Sequence, residues 1–519
     1  MAWRVGTALA LAVGMVAAAQ AAELRVGLGS MANSMDPHFR NSGPDVANML
    51  HVFDKLILQD EKQQIVPGLA KSWTRIDEMT WEIELRDGVT FHDGTPFTAD
   101  DVVFTLQRAV NVPNSSSPFA TYIRTIASAT ADGPLKVRLR TAYPAPLLPV
   151  DLSTFGIISR RHGEGAEINE YNSGKAAIGT GPFKLKEFVP NSRIAYVRND
   201  AYWGPKPVWD SVTFRLIPNP SARSAALLAG DVDLIEQVPA DAVKALERAD
   251  GVSVEKALSN RVIYLILDSH SDTSPNLRDN AGQPLPTNPL KDVRVRKAIS
   301  LAMNRQALVD RLLDGQGVPT GQIVPPGFFG HDPTMPVAAH DPDQGRRLLA
   351  EAGYPNGFQM TIHGSNGRYL NDVQQIQTIG QFLTRIGIQP TVEALPRQVF
   401  ATRGNKFEFA LGFYGWGTDT GEAASTLRAL LLTRDGKGDG ASNRGRYSNP
   451  ALDALIKKAL TIFDDKEREK ALQHATRVAM EDVGIVPLYF QVNVWAARKG
   501  FGYTARADEF TLAMSAVAK

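Results

Sequence analysis

Stretches with the two-residue alternation of a strand take turns with stretches carrying the spacing of a helix along most of this 519-residue chain. A chain patterned this way folds as an α/β protein rather than an all-α or all-β one. Leu24–Leu28 and Trp81–Leu85 alternate as strands, and Arg86-Asp87-Gly88 predicts a hairpin turn into Val89–Phe91. Lys136–Arg140 alternates as well. Thr98 with Asp101 predicts a capping box opening a helix. Further helix starts fall at Asp292, Asn304, Asp341-Pro342, Asn449-Pro450 and Asp464 or Asp465. Val373, Ile376, Ile379, Leu383 and Ile386 mark a longer helix ending at Gly387. Phe407, Phe409, Leu411 and Phe413 alternate as a strongly apolar strand. Ser269–Pro289 is the one loose segment, and Gly436–Gly440 reads as a surface loop. The length suits about three domain-sized units.

Residues 1–21 hold one charge, Arg4, followed by an Ala/Leu/Val/Gly run ending in Ala19-Gln20-Ala21. This is the pattern of an export signal cleaved after about Ala21, which predicts a periplasmic protein. Without Arg4 the 56 basic residues become 55, matching the 55 acidic ones. A balanced chain without a basic block argues against nucleic-acid binding. The chain has no cysteine. That excludes disulfides, thiol nucleophiles, thiolate metal sites and an anchor on an N-terminal cysteine.

Enzyme motifs are missing. There is no His-Glu-x-x-His, no phosphate-binding Gly-rich loop with Lys-Ser/Thr and no Gly-x-Ser-x-Gly. The nine histidines are scattered, with no pair at helical ligand spacing. Neither a metal nor another cofactor is expected. A secreted hydrolase with an unrecognised carboxylate pair stays open as a reading from another class.

Several segments carry a resemblance. They are Pro67–Trp73, Trp81, Leu85–Val89 and Phe91–Val102, then Gly179–Phe183 and Asn199–Gly204, then Gly230–Asp233, Asp292–Ile299, Leu348–Pro355 and Tyr447–Pro450. In content and order they resemble the family 5 extracellular solute-binding proteins of bacterial ABC importers, the peptide/nickel-binding group. The resemblance implies a two-lobed periplasmic-binding-protein type II (cluster C) α/β fold with an extra inserted domain. Mapped here, lobe I takes 22–47, 176–267 and 488–519, the inserted domain 48–175, and lobe II 268–487. It also implies a monomer that holds a small solute between its lobes and delivers it to an inner-membrane permease. The leading solute is a short peptide. A nickel–chelator complex, an opine, glutathione or an oligosaccharide are the rivals.

Candidate ligand contacts follow. Gly415-Trp416-Gly417-Thr418-Asp419 lies just past a strand's C-terminal end, where α/β sheets place ligands. In peptide-binding members an Asp three residues after this Trp holds the peptide's ammonium, and Asp419 matches it. Here Glu422 is followed by Ala423, where several of those proteins have an acid-Pro pair. Arg368, beside Tyr369, resembles the arginine that takes a ligand carboxylate in some members. From lobe I the loop Ser30–Phe39 offers Ser34, Met35 or Asp36, and Tyr122 is a further candidate on the inserted domain.

Overall fold

The computed structural model describes residues 22–113, 115 and 119–519; the expected export signal lies outside them. Strand and helix signals combine into one sheet of twelve strands and a separate sheet of four. Across the large sheet the strands run Leu277–Arg278, Gln359–Asn366, Leu411–Gly417, Val252–Leu267, Val486–Arg498, Leu234–Ile235, Glu23–Leu28, Ser211–Leu216, Arg193–Arg198 and Phe183–Val189. Gln389–Pro396 adds to Gln359–Asn366, and Gly317–Pro319 to Val486–Arg498.

Two strands hold this sheet together. Val252–Leu267 has 16 residues and Val486–Arg498 has 13. At about 3.3 Å per residue the first spans roughly 50 Å. They pair antiparallel from Val252↔Arg498 to Leu258↔Val492, lose register, and resume at Val262↔Phe490. Beyond the break the first strand also pairs with Leu411–Gly417, from Arg261↔Gly417 to Leu267↔Leu411. Each half of the pair thus belongs to a different half of the sheet.

The break is bonded at its backbone and charged groups, while Asn260 Oδ1 stays buried without a partner. Asn260 N–H donates to the Ala507 carbonyl, and its side-chain amide donates to the Thr418 carbonyl. Ser259 Oγ and the Arg261 guanidinium both donate to the Glu509 carboxylate, the guanidinium at 2.7–3.1 Å. The C-terminal segment therefore satisfies the groups that the lost register frees.

The small sheet orders Ala70–Asp77, Thr80–Leu85, Lys136–Thr141 and Ile126–Ala131. The helix Ala99–Ala109 opens with the expected Thr98/Asp101 capping box. The expected hairpin into Val89–Phe91 does not form. Thr80–Leu85 pairs instead with the preceding strand and with Lys136–Arg140. Val89 and Phe91 are buried, and Phe91 packs edge-on against Phe97. Their apolar side chains fill a core rather than extend a sheet.

The helices in the second half begin where their caps stand. Asp292, Asn304, Asp341, Asn449 and Asp464 each accept a backbone N–H of the following turn. The aromatic strand starts later than its alternation indicates, at Leu411. Phe407 sits at φ 59°, closing the helix Arg397–Asn405, and Phe409 stacks on His363 at 4.3 Å.

The Gly179–Phe183 segment explains itself by close approach. Its backbone packs on Val52, with Gly181 N–H donating to the Val52 carbonyl at 2.9 Å. A Cβ at Gly179 would sit 1.9 Å from that carbonyl oxygen. His92 bonds the Gly181 carbonyl through Nε2, and burial pulls its pKa down to about 4, so it is a neutral structural group. The buried Asp54 collects Thr180, Tyr202 and Trp203. Gly179→Ala is expected to destabilise the protein by about 1–3 kcal/mol or more, the cost of over-packing. A lower urea midpoint checks this.

Candidate ligand-binding cavity

A cavity of about 540 Å³ lies at the C-terminal ends of the parallel strands Gln359–Asn366 and Leu411–Gly417. That volume is in the range of small-ligand sites. Three parts of the chain wall it. Asn41, Ser42 and Gly43 come from the N-terminal region. Tyr122, Arg124, Leu147, Val150 and Asp151 come from the segment holding the small sheet. The third wall includes Arg261 of the crossing strand, Arg368, Asn405, the 415–429 stretch and the 438–444 loop.

Gly415, Trp416 and Asp419 are brought together here. Tyr369 clamps the strand end: its hydroxyl accepts from Gly415 N–H at 2.8 Å and contacts the Gly415 carbonyl at 3.3 Å. A Cβ at Gly415 would lie 2.7 Å from the Tyr369 ring. Tyr369 therefore supports the wall from behind, packed edge-on against Phe413. Trp416 is half-buried on the wall, and its indole N–H is buried without a hydrogen-bond partner.

Asp419 opens into the cavity. Tyr122 Oη donates to its Oδ2 at 3.2 Å. Its main-chain carbonyl accepts from the side chains of Gln59 and Gln63. Asp419 is solvent-exposed at the cavity, and the surrounding protein still pushes its carboxyl pKa above the usual range, opposed by Tyr122, Arg261 and Lys55. The lysine is itself buried, and its pKa falls to about 8.

Arg368 joins the same cavity. Its loop is shaped by Asp372, whose carboxylate accepts the N–H groups of Gly367, Arg368 and Tyr369 and the Ser365 hydroxyl. The guanidinium lies 5.0 Å over the Tyr369 ring. Among the described residues it has no ion pair, whereas the neighbouring Arg261 is held by Glu509. Arg368 also faces a smaller cavity of about 60 Å³ with Arg397 and Glu509.

Ser34 and Met35 do not reach the site. Ser34 Oγ and Met35 N–H both donate to Asn172 Oδ1, and Met35 is in the core. Asp36 is bound to Arg108 at 2.7 Å. The N-terminal contribution comes a few residues later, through Asn41–Gly43. Gly436–Gly440 is a loop with Gly436 and Lys437 exposed, as expected, while Gly438 lies against Arg124 at the cavity. Arg261, Asp151, Arg428 and Arg444 carry no sequence signal, because chain-distant segments bring them together.

Three walls of unlike origin, two of them charged, a half-buried indole and a sheet shared by two halves define a solute-binding protein of the two-lobed type. The model for "bacterial extracellular solute-binding proteins, family 5 Middle" matches residues 64–438. The chain belongs to this family, whose members are the solute-binding components of ABC importers. It is 27% identical over 505 residues to the glutathione-binding protein GsiB of Escherichia coli K12, covering 95% of this chain and 94% of that one. It is 25% identical to heme-binding protein A of Haemophilus influenzae, covering 88% of this chain and 86% of that one. The structure of DppA from Helicobacter pylori, in complex with the peptide STSA, superposes with a TM-score of 0.81 at 25% identity. That match covers 96% of this chain and 98% of the other. The fold is thus the type II periplasmic-binding fold. No helix among the described residues is long and apolar enough to cross a membrane.

The cavity acids set a pH dependence. Burial raises Asp151 to about 8 and Glu422 to about 7. The folded protein holds these protons where the unfolded chain releases them, so their contribution to stability is lost as pH rises toward about 8. Buried His38, His51 and His92, pulled down to about 4, act oppositely, and their effect is complete above about 6.5. Thermal midpoints are therefore expected to fall between about pH 6.5 and 8, and Asp151→Asn is expected to flatten that fall.

Proposed function

We propose that this protein captures short peptides in the periplasm and delivers them to an inner-membrane ABC permease. The observation that carries this is an acid and an unpaired arginine facing one cavity sized for a small ligand. Asp419 receives the peptide's ammonium, displacing the Tyr122 hydroxyl, and Arg368 receives the terminal carboxylate bidentately. Trp416 packs along the peptide and supplies its indole N–H, while Gly415 and Tyr369 hold that wall in place. Lobe I (22–47, 176–267 and 488–519) carrying the inserted domain (48–175), and lobe II (268–487), close on the ligand by bending where the two long strands cross. The protein acts as a monomer, with its leader removed after about Ala21, and uses neither metal nor catalysis.

The peptide bound in the DppA structure supports the choice of ligand class. Titration calorimetry with di- to pentapeptides, glutathione and N-acetylated counterparts tests it. Binding of free peptides is expected, with N-acetylation abolishing it. Asp419→Asn is expected to weaken binding about 100-fold or more, as for breaking a buried charged hydrogen bond. Trp416→Phe is expected to remove most of the ligand-induced fluorescence change. A panel in which no peptide binds, or in which N-acetylation is harmless, overturns the assignment.

A further inference from the structure

One part of the cavity wall is not used by this scheme. Asp151 ends the short helix Leu148–Asp151 and is 7% exposed, its remaining surface facing the cavity. Its carboxylate has no hydrogen-bond or ion-pair partner among the described residues. Glu422, from the far wall, is 8% exposed and lines the same cavity. Its Oε1 lies 3.5 Å from Arg468, and its Oε2 is buried with no partner at all. Two buried carboxyl groups thus line one cavity; burial raises the pKa of both, and the Glu422 charge raises that of Asp151 further.

The neighbouring cations reach the two acids only in part: Arg428 pulls the Asp151 pKa down without contacting it, and Arg468 meets one Glu422 oxygen. Arg428 donates to the Thr121 carbonyl at 3.2 Å and lies 3.7 Å from Asp439. Arg468 also serves Asp465 at 2.8 Å. Arg124, on the helix beside Asp151, packs on Gly438. Tyr122 feels both Asp419 and Asp151, so the orphan acid lies near the proposed ammonium site. An unpaired buried acid is costly unless something of opposite charge, or a proton, completes it. In the empty cavity protons do so.

Resting on the peptide reading, we propose that Asp151 and Glu422 form a second cation subsite, which takes the ammonium or guanidinium of a basic side chain close to the peptide's N-terminus. The protein is then selective for peptides carrying Lys, Arg or ornithine there. Binding of such a side chain expels the protons held by the two acids. Affinity for a basic peptide therefore rises with pH up to about 8, whereas a neutral isostere shows no such rise.

The test compares Lys-Ala-Ala with norleucine-Ala-Ala by calorimetry at pH 6, 7 and 8.5, on the wild type, Asp151→Asn and Glu422→Gln. The wild type is expected to prefer the Lys peptide at least tenfold at pH 8.5 and less at pH 6. The preference and its pH dependence are expected to vanish in Asp151→Asn, with norleucine-Ala-Ala bound as before. Asn mimics the protonated acid, so this variant keeps its thermal midpoint at pH 6, which shows that it is folded. If no peptide binds, the peptide reading fails, and the subsite is still read by thermal shift with butylammonium against butanol. Stabilisation by butylammonium alone, lost in Asp151→Asn, supports the subsite. Equal binding of the two peptides, equal loss of both in Asp151→Asn, or no difference between butylammonium and butanol where no peptide binds, overturns it.

Discussion

The antiparallel pairing of Val252–Leu267 with Val486–Arg498 is the constraint on which the rest depends. Each strand serves both halves of the large sheet, so neither half can be completed without the other's chain. The register break is where those halves meet, and most of its polar groups are satisfied by Ala507, Glu509 and the Thr418 carbonyl. The same few residues therefore hold the junction and adjoin the Trp416–Asp419 loop. Under the proposed function, bending at the break would reach the ligand wall through Asn260, which bonds the Thr418 carbonyl, and Arg261, which lines the cavity.

The cavity works by local charge in a chain whose global charge nearly cancels. Arg261 is neutralised by Glu509, Arg428 is turned toward Thr121 and Asp439, and Arg468 toward Asp465. What remains unmatched is informative: Arg368, Asp151 and one oxygen of Glu422, beside an Asp419 held only by a tyrosine. A partly desolvated cavity makes such mismatches selective, because a ligand that completes them recovers interactions the empty protein lacks.

Much of the fold was legible because its signals are local. Caps at Thr98, Asp292, Asn304 and Asp341 and glycines after helices act over one turn, and the structure places those helices accordingly. Trp416, Gly415, Asp419 and Arg368 were legible as strand-end and loop residues of a recognisable motif, and one cavity joins them. Three readings gave way to non-local forces. The Val89–Phe91 strand lost to burial of its aromatic side chain. The start of the aromatic strand moved because Phe407 ends a helix. Ser34 and Met35 were drawn inward by Asn172, more than a hundred residues away. Asp151 and Arg261 were invisible for the same reason: nothing within a few residues of either marks the partner segment that makes them matter.

Under the proposed function, the Tyr122–Asp419 contact bears on which ligands are accepted. A phenol that already occupies the acid's oxygen makes entry an exchange of partners and not a capture by a bare charge. Water and small cations, which offer little beyond what the phenol gives, gain little by displacing it. A ligand that also engages the opposite wall gains more. On the proposed assignment of Asp419 to the ligand's ammonium, the tyrosine sets how much a visitor must bring before that contact opens.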